Sequence, residues 1–304
     1  MSNTILAVIE MDRFPQEVTN RAAWIAKQYG CDLELVLSDP TLSVLRDSYM
    51  VSNESKQMAA GIREAQEFVL EELATSVADD GLTVTTSITH ERPAGDAIIA
   101  VALDREPLFV VKGTAYHSPA ERATFTYTDW RLIRKLTAPL WLVKDRAWNE
   151  KPVIIAAVDP THRKDKYHSI DQLIIDAAKT QASKCNGKLM LLHTYERLVE
   201  IGSHAMMSIK PVRLPVEELD QKIRKEHRQK LDELARENEI PDRDVHQLPG
   251  RTRDILPAFA RAHNADLVVM GAWARTGLKR RVLGSTAEQV LDHLPCDILI
   301  VRPA

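Results

Sequence analysis

The chain repeats itself over a long interval. Leu108-Phe-Val-Val-Lys-Gly113 is matched 158 residues later by Asp266-Leu-Val-Val-Met-Gly271, and Leu140-Trp-Leu-Val-Lys144 is matched by Ile298-Leu-Ile-Val-Arg302 at the same offset. Asp96 and Asp254 are also 158 apart, whereas Ile5-Leu-Ala-Val-Ile-Glu10 and Ile154-Ile-Ala-Ala-Val-Asp159 are separated by 149. The second half is therefore longer by a loop-sized insertion. Solenoid repeats have periods of roughly 20 to 50 residues, so a repeat of this length is a duplicated domain. A chain of 304 residues is long enough to give each copy its own core. The polar, proline-terminated stretch Asp145-Arg-Ala-Trp-Asn-Glu-Lys-Pro152 reads as the linker, giving domains 1–146 and 152–304.

Each half alternates apolar β-runs with helical patterns, as in an open, doubly wound parallel sheet. The first half predicts strands near 4–9, 32–37, 83–89, 107–112 and 139–144, with helices near 15–29, 53–79, 94–104 and 128–137. The second predicts strands near 153–158, 188–194, 244–248, 265–270 and 297–302, with helices near 168–184, 214–238, 251–263 and 285–293. Val216, Leu219, Ile223, Leu231 and Leu234 recur among charges at helical spacing, so those charges form the solvated face of an amphipathic helix. Ligands on such sheets bind beyond the carboxyl ends of the strands, where the strand order reverses.

Residues 270–286 combine a strand end, a basic loop and a helix start. A helix that begins there presents free backbone N–H groups, which attract phosphate. Gly271 and Gly284 leave room for a ligand to approach the main chain, Ser285 and Thr286 offer hydroxyls, and Arg275, Lys279 and Arg280 offer positive charge. Neither GxxxxGK[ST] nor GxGxxG occurs. The run resembles instead the nucleotide-binding signature of the universal stress protein family: Gly, two residues, Gly, nine residues, Gly, then Ser or Thr. Ala274 replaces the second glycine, and the spacing of nine to Gly284 is kept. Its methyl group narrows the loop, while Gly277 supplies freedom three residues on.

The resemblance covers nearly the whole chain and identifies it as a tandem member of that family. It implies two Rossmann-like, five-stranded domains of the adenine nucleotide alpha-hydrolase type, with pairing of the two through their last strands and a homo-dimer as further expectations. It also implies an ATP pocket, or one for a related adenine nucleotide with Mg2+, at Ala157, Val158, Asp159 and Pro160, at Thr194 beside the adenine, and at Met270, Gly271 and Ala274 onward. Asp159-Pro160 also reads as a plain strand-to-loop turn. His193 reads as a structural histidine of its strand.

The first half departs from the signature. Glu10 stands at the place of Asp159, Tyr116 at that of Ala274, and Thr126-Tyr127-Thr128 at that of Gly284-Ser285-Thr286. No ATP is expected there. Two readings remain: a crevice filled by its own aromatics such as Phe125 and Tyr127, or a changed pocket for a second, more apolar small molecule.

Other chemistries find little support. The formal net charge of −3 gives no reason to expect nucleic acid. No apolar run reaches the roughly 18 residues of a membrane span, and Met1-Ser-Asn-Thr leads straight into a strand, so a cytoplasmic protein with its three cysteines reduced is expected. Ten histidines make near-pairs by chance, and neither CxxC nor HExxH is present; a zinc site across His162, His168 and His204 is the weaker alternative to no metal. No nucleophile with a committed base stands out, so no catalytic residue is assigned. The expected role is a regulatory nucleotide-binding factor of the bacterial stress response with an unidentified protein partner and at most slow ATP hydrolysis. The alternatives are a small-molecule hydrolase or transferase using the 271–286 loop, and a ligand-free scaffold. The Met206-Met207 pair either covers the pocket or packs.

Overall fold

The computed structural model describes residues 3–49, 53–114, 128–161, 168–197, 216–272 and 290–303. The chain divides into two compact units, one up to Ala147 and one from Trp148. The first contains β1 (Thr4–Ile9), α1 (Pro15–Tyr29), β2 (Asp32–Ser38), α2 (Thr41–Tyr49), α3 (Asn53–Val77), β3 (Val84–Thr89), α4 (Ala94–Arg105), β4 (Phe109–Gly113), α5 (Thr128–Lys135) and β5 (Leu140–Val143). The second contains β6 (Val153–Ala157), α6 (His168–Lys184), β7 (Lys188–Tyr195), α7 (Val216–Glu237), β8 (Val245–Pro249), α8 (Thr252–Ala262), β9 (Leu267–Gly271) and β10 (Asp297–Val301).

Within the first unit the strands are parallel in the order β3-β2-β1-β4-β5, and within the second in the order β8-β7-β6-β9-β10. The two orders are the same when read by position in the duplication. The register agrees as well: Val8 pairs with Lys112, and Ala157 pairs with Met270. Those pairs are related by the 149 and 158 offsets of the sequence repeat. In each unit the strand order reverses between the first strand and the fourth, so a switch point lies between β1 and β4 and another between β6 and β9.

The central strands are continuous apolar runs because helices cover both faces of a parallel sheet. Ile5 to Ile9 are at most 1% exposed, and Ile154, Ile155 and Ala156 are fully buried. α1 starts with Pro15, whose fixed φ suits the first helical turn, and ends at Gly30 with φ 64°, a left-handed cap that a β-carbon would strain. The short helix α2 was not expected. Its start was written in Asp39-Pro40-Thr41, where the Asp39 carboxylate accepts from the Thr41 N–H at 2.9 Å and from its hydroxyl at 2.6 Å. The expected helix at 285–293 falls mainly outside the described residues, with Val290 its first described residue.

Two buried carboxylates tie the connecting segment to the second unit. Asp297, 2% exposed, accepts from the Trp148 indole N–H at 3.1 Å. Asp266, 1% exposed, accepts from the Asn149 backbone at 3.0 Å, from its side-chain amide at 2.9 Å and 3.0 Å, and from the Val153 N–H at 2.8 Å.

Candidate nucleotide crevice

At the β6/β9 switch point the chain leaves β6 at Ala157, and the Val158 N–H still donates to Leu192 O at 3.0 Å, extending the β7 ladder. Asp159 follows. Its backbone N–H donates to Asp171 Oδ1 at 3.0 Å, and Asp171, in the first turn of α6, is only 3% exposed. The Asp159 Oδ1 accepts from the Thr161 N–H at 3.3 Å and from its hydroxyl at 2.6 Å, the hydrogen bonding of an Asx turn. The turn is therefore real, and it orients the carboxylate: the side chain remains 44% exposed at the rim while Pro160 is buried behind it.

On the other side of the switch point, Met270 is 5% exposed and Gly271 ends β9. A β-carbon on Gly271 would lie 2.6 Å from Ile170 Cδ1 and Cγ1 on α6. The glycine expected to admit a ligand is thus already required by close packing of helix on strand. At Gly113 the obstacle is backbone instead, since a β-carbon there would meet the carbonyl oxygen of Arg13 in the connection between β1 and α1. Thr194 Oγ1 lies 2.6 Å from Thr252 Oγ1 at the start of α8, which joins β7 to that helix at the same edge. Ala157, Val158, Asp159, Pro160, Thr194, Met270 and Gly271 thus stand at or next to the carboxyl ends of β6, β7 and β9.

Ala274, Arg275, Lys279, Arg280, Gly284, Ser285 and Thr286 lie outside the described residues, as do Tyr116, Phe125, Tyr127, His162, His204, Met206 and Met207 and the side chain of His168. Among the described residues no group of three His, Cys, Asp or Glu side chains could hold a metal ion.

Asp171 and His227 were missed in the sequence. His193, 1% exposed, sets its Nδ1 3.2 Å from Val158 O and 3.8 Å from Asp159 Oδ1, while its Nε2 lies 2.9 Å from Nδ1 of His227 on α7. Burial holds His227 below the ordinary histidine value, opposed by the Asp159 carboxylate. No local pattern links either residue to the pocket; only the tertiary fold does.

The equivalent place in the first unit is built differently. Lys112, 3% exposed in its side chain, puts Nζ 2.6 Å from Glu10 Oε2 and 2.7 Å from Asp129 Oδ1, and donates to Gly113 O at 3.0 Å. The Thr114 hydroxyl donates to Asp129 Oδ2 at 2.7 Å. Burial penalises the ammonium, yet the carboxylates of Asp129 and Glu10 outweigh it and hold Lys112 above the ordinary lysine value. Asp129 stands in the first turn of α5, so the positive end of that helix already faces a carboxylate of the chain itself. A buried ion cluster stands at this switch point; Phe125 and Tyr127, the aromatics expected there, lie outside the described residues. A lysine inside Phe-Val-Val-Lys-Gly was the available signal, because a charge in a doubly covered strand needs partners.

The model of the "Universal stress protein family" matches residues 1–144 and 167–302. The "Universal stress protein E" of Escherichia coli strain K12 is 27% identical over 311 aligned positions, which take in 100% of this chain and 95% of that protein. The crystal structure of a putative universal stress protein from Pseudomonas aeruginosa superposes with a TM-score of 0.69 at 24% identity, covering 99% of this chain and 94% of the other. A universal stress protein from Archaeoglobus fulgidus gives a TM-score of 0.62 at 16% identity, with both chains covered in full.

Proposed function

Because this chain belongs to the universal stress protein family, with the family fold present twice, we propose that it is a cytoplasmic stress-response factor that binds ATP or a related adenine nucleotide in its second unit only. The observation that carries this reading is the contrast between the two switch points. In the second unit the partly exposed carboxylate of Asp159 stands at the end of β6, and the residues that end the neighbouring β9 are the uncharged Met270 and Gly271. In the first, Lys112 is neutralised by Glu10 and Asp129, so a triphosphate would add charge beside two buried carboxylates.

In this reading Asp159 and Thr194 border the nucleoside end. The loop that follows Gly271 supplies the phosphate end: Arg275, Lys279 and Arg280 offset charge, and the backbone at Gly284 with the Ser285 and Thr286 hydroxyls cradles oxygen. Mg2+, when bound with the nucleotide, adds further compensation on the phosphates. Bound and free states differ for a protein partner, and turnover is incidental to that role.

Calorimetric titration with ATP, ADP and AMP, with and without Mg2+, tests the reading. One site per chain is expected, with affinity reduced by Gly284→Val. Two equivalent sites, or affinity unchanged by that substitution, would count against it.

A further inference from the structure

The hydrogen bond between His193 and His227 restricts the protons that the two rings can carry. Val158 O is only an acceptor, so the His193 Nδ1 that faces it at 3.2 Å carries the hydrogen. The neutral His193 ring then has a bare Nε2, which accepts from the Nδ1–H of His227 at 2.9 Å. A proton added to His227 at its other nitrogen leaves this bond intact. A proton added to His193 reverses it, with His227 moving its own hydrogen to Nε2 and accepting at Nδ1; only a second proton, which charges both rings, sets two N–H groups against each other. The joined pair therefore holds at most one extra proton, whereas two separated, hydrated imidazoles hold two.

The pair also connects two elements. His193 belongs to β7 and contacts the residue before Asp159, while His227 belongs to α7, which packs on β7 and β8 through the buried Leu231, Leu234 and Ala235. Among the described residues, the groups facing His227 are Asp159 beyond β6, His193 and Tyr195 on β7, with ring centroids at 5.1 Å and 5.7 Å, and Glu226 and Lys230 on its own helix.

We infer that His193 and His227 form a proton-operated latch between α7 and the edge that bears Asp159, and that mild acidification opens this latch and weakens ligand binding in the β6/β9 crevice. The effect on ligand rests on the nucleotide reading above; the latch itself does not. The direction follows from proton counting. Burial holds His227 below its ordinary value of about 6.5, so the latched state binds fewer protons than the open one. Its stability is complete above that value and declines as pH falls through it. Two protons are gained on opening until His227 titrates in place, and one thereafter.

Hydrogen exchange of the α7 amides around 223–231, corrected for intrinsic rates, measures the opening. Between pH ~6.5 and ~5 the opening constant should rise about tenfold to a hundredfold per unit. His227→Gln keeps a donor toward His193 but removes one titrating group, so its rise should not exceed about tenfold per unit. Imidazole 15N spectra of the unmodified chain give a second measure, in which His193 keeps its hydrogen on Nδ1 and the joined pair takes up a single proton before it opens. A pH-independent opening constant, or two histidines titrating independently, would overturn the latch.

ATP titrations at pH 7.5 and 5.5 test the effect on ligand, using His227→Gln to account for protonation of the nucleotide itself. Affinity should fall more in the parent chain than in the variant; equal falls would overturn this part. Failure of ATP to bind at either pH would reject the nucleotide reading, and the exchange slopes would still decide the latch.

Discussion

Lys112 and Met270 occupy the same position in their two sheets. Each is the fourth residue of the strand beside the switch point, and each pairs with the equivalent residue of the neighbouring strand, Val8 in one case and Ala157 in the other. One duplicated scaffold thus places a buried ammonium at one crevice and a thioether at the other.

Lys112→Met should test how strongly the first crevice depends on its cation. The substitution leaves Glu10 and Asp129 without their shared partner in a buried site, and breaking such a pair costs about 3–5 kcal/mol. Urea denaturation should show that loss. Adding Glu10→Gln and Asp129→Asn should recover much of it, because the uncompensated charges are then gone.

Gly271→Ala should destabilise the second unit by roughly 1–3 kcal/mol, since the new methyl meets Ile170 and the core must shift. Ile170→Val in the same chain should return part of that stability. Thermal or urea midpoints of the single and double variants measure the coupling, and additive losses would show that Ile170 is not the obstacle.

Turnover of ATP should lie far below the range of about 1 to 1000 per second typical of dedicated catalysts. Asp159→Asn and Ser285→Ala should weaken nucleotide binding more than they change the single-turnover rate of the bound complex. A rapid rate abolished by Asp159→Asn at unchanged affinity would promote Asp159 from binding to chemistry.

Acid should also act through His246. Its ring packs near Phe259 and His263, its Nε2 is buried without a hydrogen-bond partner among the described residues, and burial followed by the nearby His263 holds it below the ordinary histidine value. The folded state therefore takes up fewer protons than the unfolded state. The stability contribution is complete above pH ~6.5 and is lost as pH drops through the lowered value. His246→Leu should flatten the decline of stability between pH 7 and 5, measured by urea midpoints.

The strands were legible in sequence because parallel strands covered on both faces are written as unbroken apolar runs, and Ile5 to Ile9 and Leu267 to Met270 show it. Their order and register also followed the duplication. The side-chain partners were not legible. Asp171 reaches Asp159 across 12 positions and His227 reaches His193 across 34, separations at which periodicity carries no information. α2 was overlooked although Asp39 and Thr41 specify a helix start. The glycines were ambiguous for a physical reason: a missing β-carbon admits a helix such as α6 as readily as a ligand, and Gly271 admits Ile170.

The bonds from Trp148 to Asp297 and from Asn149 to Asp266 determine where the protein can be divided. A second half expressed from Pro152 onward would lack the Trp148 and Asn149 donors to two carboxylates that are buried in the full chain. A half expressed from Ala147 onward keeps both bonds. The seam left by the duplication thus lies upstream of the tryptophan, and the segment that looks like a neutral tether is part of what the second half inherits.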